Sequence, residues 1–423
     1  MRRFLTAIVL GGLISLGSGI GYTYAGEIDV LLSKLVEKGI LSASEAQEIR
    51  TETNEEVARI EKQKDSLPDW VKNTKLKGDL RLRFQNKTEK TTGDNVKDTT
   101  VGRIRMRLGL ETKINDKLLA GIGIASGSGD PRSTNMTFGD YDTKKTIVLD
   151  YGYAKYSPFA WGNFVGGKML LPDALWEPTD LIWDTDITPE GARFQFNKSL
   201  GAKTTGFMNV GALIVDDDTS TDADGPMAYL AQVGAKYKVN DNISLKGAVS
   251  YQDFSNTKGH TSSQYSGASN TGNTAAGSST YTYNYEMFNP ALEVSVKEPF
   301  KALGLKVEML KLMGEYVNNL DISSKKGRTG FSCGLKMGKE KVEKFGDWQF
   351  KYIFAMLGKD AVLDVLPDSD RYGGKTAMRS HEAELTFGLS KNTYLGVDVY
   401  RSWRTFNPKQ PETLVQVDWN MKF

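Results

Sequence analysis

The sequence predicts an all-β protein: an up-and-down antiparallel transmembrane β-barrel of about sixteen strands, behind a short N-terminal helical segment. Three observations predict it. Apolar and polar residues alternate strictly in many segments. In the last ten residues, "LVQVDWNMKF", Val415, Val417, Trp419, Met421 and Phe423 interleave with Gln416, Asp418, Asn420 and Lys422, which is a strand with one oily and one wet face. The connections between such segments alternate between short turns and long polar loops. No apolar run approaches the roughly 20 residues of a spanning helix, and a mean hydropathy of −0.40 speaks against a helical membrane protein.

The chain opens with "MRRFLTAIVLGGLISLGSGIGYTYAG". A basic start at Arg2 and Arg3, an apolar stretch and a small-residue exit make residues 1–25 a secretory signal peptide, cut after Ala25. A signal anchor fits less well, because the apolar run is short and rich in glycine. Loss of the two arginines takes the formal charge from +2 to 0, so the balance of charge points to no nucleic-acid partner. The single cysteine, Cys333, allows no internal disulfide. With only His260 and His381 beside it, little remains for a nitrogen- or sulfur-ligated metal site, and neither metal nor cofactor is expected.

Residues 26–68 form the helical segment. Ile28, Leu31, Leu32, Leu35 and Val36 follow helical spacing, and Gly39 closes the helix. Ser42 and Glu45 have capping-box spacing and open a second helix. Its apolar seam is thin: Ala46, Ile49, Thr53, Val57 and Ile60. Such a seam suits a short periplasmic coiled coil between subunits, or a helix lying on a neighbouring surface, better than a solvated spacer.

Pro68 ends the helix, and residues 69–423 carry the barrel. The expected strands are 75–85, 101–113, 118–126, 146–157, 163–170, 189–198, 203–215, 227–239, 243–253, 281–297, 305–317, 329–339, 347–357, 376–389, 393–403 and 413–423. Pro290 interrupts one of them, and "VEMLKLMGEY" in another also suits a helix. "INDK", "VNDN" and "SKNT" supply turn chemistry on one side; the long loops lie on the other, among them the low-complexity "HTSSQYSGASNTGNTAAGSST". Lipid offers the backbone no hydrogen bonds, so a closed barrel is what lets strands cross it. Tyr151, Tyr153, Trp403 and Trp419 suit the aromatic girdles at its rims. A soluble β-sandwich or lectin-like protein fits the asymmetric loops poorly. Closure also explains the patterned C-terminus, since the last strand must pair with the first. A final aromatic resembles the C-terminal signal read by the outer-membrane assembly machinery, which assigns Trp419 and Phe423 to that signal.

Two stretches carry the candidate site. Arg81, Arg83, Arg103, Arg105 and Arg107 project to one side of the first two strands, and Arg193 is assigned to the same basic wall. If the hairpin sets residue 79 opposite 107, Asp79 meets Arg107 and the other arginines repel one another unless acids arrive from elsewhere. Either carboxylates such as Asp418 neutralise them and they stiffen the wall, or they form one side of a pore constriction. Their counterpart is "LPDALWEPTDLIWDTDITPE", 171–190, with Asp173, Glu177, Asp180, Asp184, Asp186 and Glu190 and no Lys or Arg between Lys168 and Arg193. Trp176, Leu181, Ile182 and Trp183 give this loop enough apolar surface to pack. We expect it to fold into the lumen and face the arginines; the alternative is an acidic external loop holding divalent ions or lipopolysaccharide. "DDDTSTDADG" (216–225) lacks the terminal glutamate of an EF-hand and reads as a solvated loop.

"LPDWVKNTKLKGDLRLRF", "GRIRMRLGLETKINDKLLAGIGIASG" and "LIWDTDITPEGARFQF" resemble, in order and over most of the mature chain, the putative porin family of Gram-negative bacteria. The general plan is similar to that of phosphate-selective porins, but no lysine-rich cluster in a loop supports phosphate specificity. The resemblance implies a porin in the outer membrane, a water-filled channel for passive diffusion of small hydrophilic solutes and ions. It also implies a homotrimer in contact with lipid, lipopolysaccharide and the assembly machinery. The alternatives are a structural barrel that anchors the envelope through its helix and an outer-membrane hydrolase. No enzyme is expected, because His260 sits in the low-complexity loop and His381 falls on the lipid-facing side.

Overall fold

The structure is a computed structural model that describes residues 24–65, 68–90, 95–139, 141, 143–215, 226–260, 272–276, 280–324, 326–406 and 409–423. The signal peptide and the 216–225 loop expected above lie outside the described residues, apart from the last two positions of the former. So does most of the low-complexity loop. The chain divides into two units, 1–72 and 73–423.

The first unit holds α1 (Tyr24–Glu37), α2 (Ala43–Asp65) and the single turn α3 (Asp69–Lys72). Gly39 takes φ +68°, the left-handed conformation that ends a helix with least strain, and Ile40 N–H donates to Leu35 O at 3.0 Å. The capping box closes reciprocally: Glu45 N–H donates to Ser42 Oγ (3.2 Å) and Ser42 N–H to Glu45 Oε2 (3.0 Å). Among the described residues no helix is long and apolar enough to cross a membrane.

The second unit is a closed antiparallel barrel of sixteen strands. They are β1 (Thr74–Lys90), β2 (Val96–Lys113), β3 (Leu118–Ser126), β4 (Ile147–Phe159), β5 (Gly162–Lys168), β6 (Glu190–Ser199), β7 (Thr204–Ile214) and β8 (Met227–Lys238). The second half comprises β9 (Ile243–Phe254), β10 (Tyr285–Lys297), β11 (Met309–Asn319), β12 (Thr329–Gly338), β13 (Trp348–Leu357), β14 (Met378–Ser390), β15 (Thr393–Arg404) and β16 (Glu412–Lys422). Every expected strand is present. β16 pairs with β1 from Asp79↔Lys422 to Glu89↔Glu412, which leaves no edge. Phe423 continues the seam, exchanging backbone hydrogen bonds with Gly78 at 2.8 and 3.0 Å. Its ring lies across Gly78, where a Cβ would come within 2.3 Å of it; only glycine leaves that seat.

Burial is inverted relative to a soluble protein. Outward residues such as Leu76, Phe84, Val233 and Leu292 are exposed, while inward Gln85, Gln252, Ser380, Ser402 and Gln416 are buried. A cationic side chain on the outer face would cost about 2–4 kcal/mol at the membrane midplane, and this enforces the period of two.

Three local expectations need correction. Residues 86–100 are not a long loop, for the β1–β2 ladder continues to Lys90↔Val96. Apart from Val96 it is polar on both faces there, held by pairs such as Thr88–Asp98 (2.5 Å) and Asn86–Thr100 (2.9 Å). Pro290 sits within β10 without breaking it. The ladder to β11 omits Asn289 and Pro290, since proline has no N–H, and Asn289 Nδ2 donates to Tyr316 O instead (2.8 Å). Tyr151 and Tyr153 face the lumen rather than a girdle, in register with Gly123 and Gly121, over which their rings pack.

Candidate functional site

The β1–β2 register sets Asp79 opposite Arg107, Arg81 opposite Arg105 and Arg83 opposite Arg103, all on the inner face. Stacked guanidinium groups repel, and four of the five find an acid or an acceptor. Arg83 grips Asp418 of β16 through Nε and Nη2 (2.7 and 2.8 Å) and reaches Asp370 at 3.0 Å. Arg105 turns to Asp79 (2.8 Å), the diagonal neighbour. Arg107 reaches Asp186 at 2.5 Å and Thr134 Oγ1 at 2.7 Å. Arg81 donates to Asn135 Oδ1 (2.7 Å) and stands 3.6 Å from Asp418. Arg103 has no ion pair among the described residues. Arg193, on β6, is buried beside Asn209 (3.5 Å) and does not belong to this column.

The loop 171–189 leaves the wall after β5 and crosses the barrel. Trp176 N–H donates to Gln232 of β8 (2.9 Å), Trp183 Nε1 to Gln252 of β9 (2.8 Å) and Thr179 Oγ1 to Glu315 of β11 (2.6 Å). At its other end Asp186 meets Arg107. Leu181, Ile182 and Trp183 are buried in an apolar cluster with Leu175, Phe254 and Met287, which holds the loop in place as their burial leaves water.

A second loop, 358–377, completes the site; it was not anticipated. Ala361, Val362, Leu363, Val365 and Leu366 join the same cluster, and Leu366 O accepts from Asp184 N–H (2.7 Å). Arg371, 1% exposed, clasps the two loops to the wall through Asp180 and Glu382 of β14, both at 2.6 Å. The apolar run "AVLDVL" between acids in a supposedly solvated loop was the available signal.

Between the arginine column and the two loops lies a polar cavity of about 250 Å3. Arg81, Arg83 and Arg105 line one side; Asp180, Asp184, Asp186, Asp368 and Asp370 come from the loops, and Tyr394 and Tyr400 from β15. Glu177 is not there: it turns toward Glu315 and Gln252. Glu190 pairs with Lys168 (2.9 Å) at the start of β6, and the side chain of Asp173 lies outside the described residues.

The loop carboxyls titrate unequally. Burial raises Asp180, but Arg371 and Lys351 outweigh it and hold the group below its ordinary value. Burial is likewise overcome at Asp186 by Arg107 and Arg105. Burial and then the charge of Asp186 push Asp184 up to about 8. Asp368 is raised well above the usual range by burial, then by Asp180 and Asp184, and Glu177 by burial and Glu315. Among the described residues, Glu382, Glu384 and Asp398 bring carboxylate oxygens within 4.8 Å of one another. The Lys351 ammonium, 2.5 and 2.9 Å from the two glutamates, already serves them as the cation. His381, on the outer face, hydrogen-bonds Tyr352 (2.6 Å) and stacks on Trp403.

The family described as putative porin matches residues 84–289 and 278–423. No curated protein matches. Among solved structures, OprB of Pseudomonas putida at high pH is similar with a TM-score of 0.54 at 11% identity, over 84% of this chain and 95% of that one. The anion-selective porin of Comamonas acidovorans gives 0.49 at 11%, over 83% and 99%. The outer-membrane channel DcaP of Acinetobacter baumannii gives 0.46 at 13%, over 83% and 97%. At these identities the likeness is one of fold.

Proposed function

The chain belongs to the putative porin family and forms a passive diffusion channel of the Gram-negative outer membrane, and we propose that its solutes pass through the polar cavity between the arginine column and the loops 171–189 and 358–377. The observation that carries this proposal is the split of charge across one cavity, with Arg81, Arg83 and Arg105 on the wall and aspartates on the loops. Charges lining a narrow passage are the usual selectivity device, and binding must stay weak enough for release.

Five cationic side chains and eight carboxyl groups line the cavity. Burial pushes Asp184 up to about 8 and raises Asp368 well above the usual carboxyl range, so the acidic excess is smaller than the count and selectivity is mild. Arg81, Arg83 and Arg105 form the basic side, with Arg107 holding the loop; Asp180, Asp184 and Asp186 form the acidic side. We further assign residues 1–25 to a signal peptide cut after Ala25 and residues 26–68 to a periplasmic coiled coil of a homotrimer. The exposed outward aromatics Phe159, Trp161 and Phe164, around the short β5, support a contact between copies. Trp419 and Phe423 are assigned to the signal read by the assembly machinery, and the outer face to lipid and lipopolysaccharide.

The test is single-channel recording of refolded protein in a planar bilayer under a salt gradient. Steps in groups of three with a small reversal potential are expected, moving toward cations in R81A/R105A. A folded barrel that conducts nothing would overturn the proposal.

A further inference from the structure

On the short-turn half of the lumen, β8 to β13 bring together lysines that lie far apart in the chain. Lys236 stands opposite Lys246, Lys311 opposite Lys336, and Lys336 opposite Lys351. Glu293, opposite Lys246 and 3.5 Å from Lys311, joins the two groups into one row. The row faces inward, because Gln232, Ala248, Ser332 and Ile353, two or four residues along the same strands, are buried inside the barrel. Every member lies two to four residues from the short-turn end of its strand, so the row follows that rim, and it meets the cavity at Lys351.

Like charges set directly opposite each other destabilise a sheet, and here the compensation is partial. Lys351 has Glu382 and Glu384, and Lys311 has Glu293 and, at 3.8 Å, Glu340. Lys236, Lys246 and Lys336 have no ion pair among the described residues. Lys246 lies over Trp176 and Phe207 instead, at 4.3 and 5.1 Å from the ring centroids, a cation–π contact in place of a carboxylate.

We propose that this row is a binding track for small extended polycarboxylates along the short-turn mouth, meeting the cavity at Lys351. It rests on the channel reading above and adds a solute class to it. Adjacent strands are ~4.8 Å apart, so neighbouring ammonium groups match carboxylates separated by two or three carbons. A lysine acts as a point charge on a flexible stem, without the planar fork that suits compact oxyanions. An extended acid therefore spans two or three lysines where phosphate engages fewer. Glu293 within the row limits residence, as a conducting site requires.

The test is interruption of potassium chloride current by citrate, succinate or inorganic phosphate added on the short-turn side. Citrate is expected to interrupt current at a concentration about tenfold below that of phosphate, and K246Q/K336Q to weaken citrate by about tenfold or more, equivalent to 1.4 kcal/mol. K236Q, which alters a side chain away from Trp176, should weaken citrate less and serves if the double variant does not fold. Unchanged interruption in a variant that still conducts, or phosphate acting as strongly as citrate, would overturn the proposal. If the wild type conducts nothing, the channel reading fails instead; calorimetric titration of citrate into detergent-solubilised protein then decides the track separately, with no heat of binding refuting it.

Discussion

Two basic rows line this barrel, and they are held in opposite ways. In the arginine column of β1 and β2, Arg83 has two carboxylate partners, Arg105 and Arg107 have one each, Arg81 leans on Asn135 and Asp418, and Arg103 alone makes no ion pair among the described residues. In the lysine row of β8 to β13, three of five ammonium groups make no ion pair among the described residues. The difference follows from side-chain chemistry. A guanidinium presents a fork that locks onto carboxylates, and the column is tied by such forks to β16 and to both loops. The lysines carry a single point charge on a flexible stem, and Lys236, Lys246 and Lys336 reach no carboxylate among the described residues. Density of charge in the chain thus marks the part that builds the passage, and sparsely spaced charge the part left free to meet solutes.

Removing a locked partner should have the largest effect. R83A leaves Asp418 and Asp370 facing a polar but confined lumen without their cation, and a loss of about 3–5 kcal/mol is expected for a broken buried pair, read as a lower urea midpoint of the detergent-folded barrel. A loss within the range of a surface substitution would erase the contrast between the rows. Next comes the clasp. R371M removes the bridge between Asp180 and Glu382, while Glu382 keeps Lys351; the two loops then loosen from β14 and single-channel conductance should rise roughly two-fold as the constriction widens. Unchanged conductance would mean that the apolar cluster alone holds the loops.

A smaller effect is set by pH. Asp184, pushed up to about 8, is neutral at pH 7 and ionises as pH rises to 9, with Asp368 also held high. The cavity gains negative charge, so the reversal potential should move toward cations between pH 7 and 9, and D184N should remove much of that movement. The same sign applies to stability. The folded state keeps a proton that the unfolded chain releases near an ordinary carboxyl value of about 4, so stability from this group falls as pH rises from about 4 through 8. The smallest effect belongs to the lysine row: K336Q should leave the urea midpoint within about 0.5 kcal/mol of wild type, against the large loss in R83A.

The strands were legible because lipid on one side and water on the other impose a period of two on each of them. Where that asymmetry ends, so does the signal. Residues 86–90 and 97–100 are polar on both faces and read as loop, yet they pair. Tyr151 and Tyr153 have the aromatic type of a girdle but sit on the inner face, over Gly123 and Gly121. The meeting of Asp79 and Arg107 followed from hairpin register, but the diagonal choice of Asp79 for Arg105 depends on Asp186 arriving from the loop. The inward loop could be anticipated from its tryptophans. Its clasp could not, since Arg371 and Asp180 are joined only by the fold. The lysine row is least visible of all, because its members become neighbours only through strand register.

The most direct test of the account asks whether current passes between the arginine column and the loops. Asn135, which lines the cavity beside Arg81, is changed in N135C/C333S, and single-channel current is followed while a negatively charged thiol reagent is added. V417C/C333S, with its thiol on the outer face, is the control. A fall in current and a shift toward cations are expected for the first variant, and no change for the second. Complete modification of N135C by mass, with current unchanged, would contradict it.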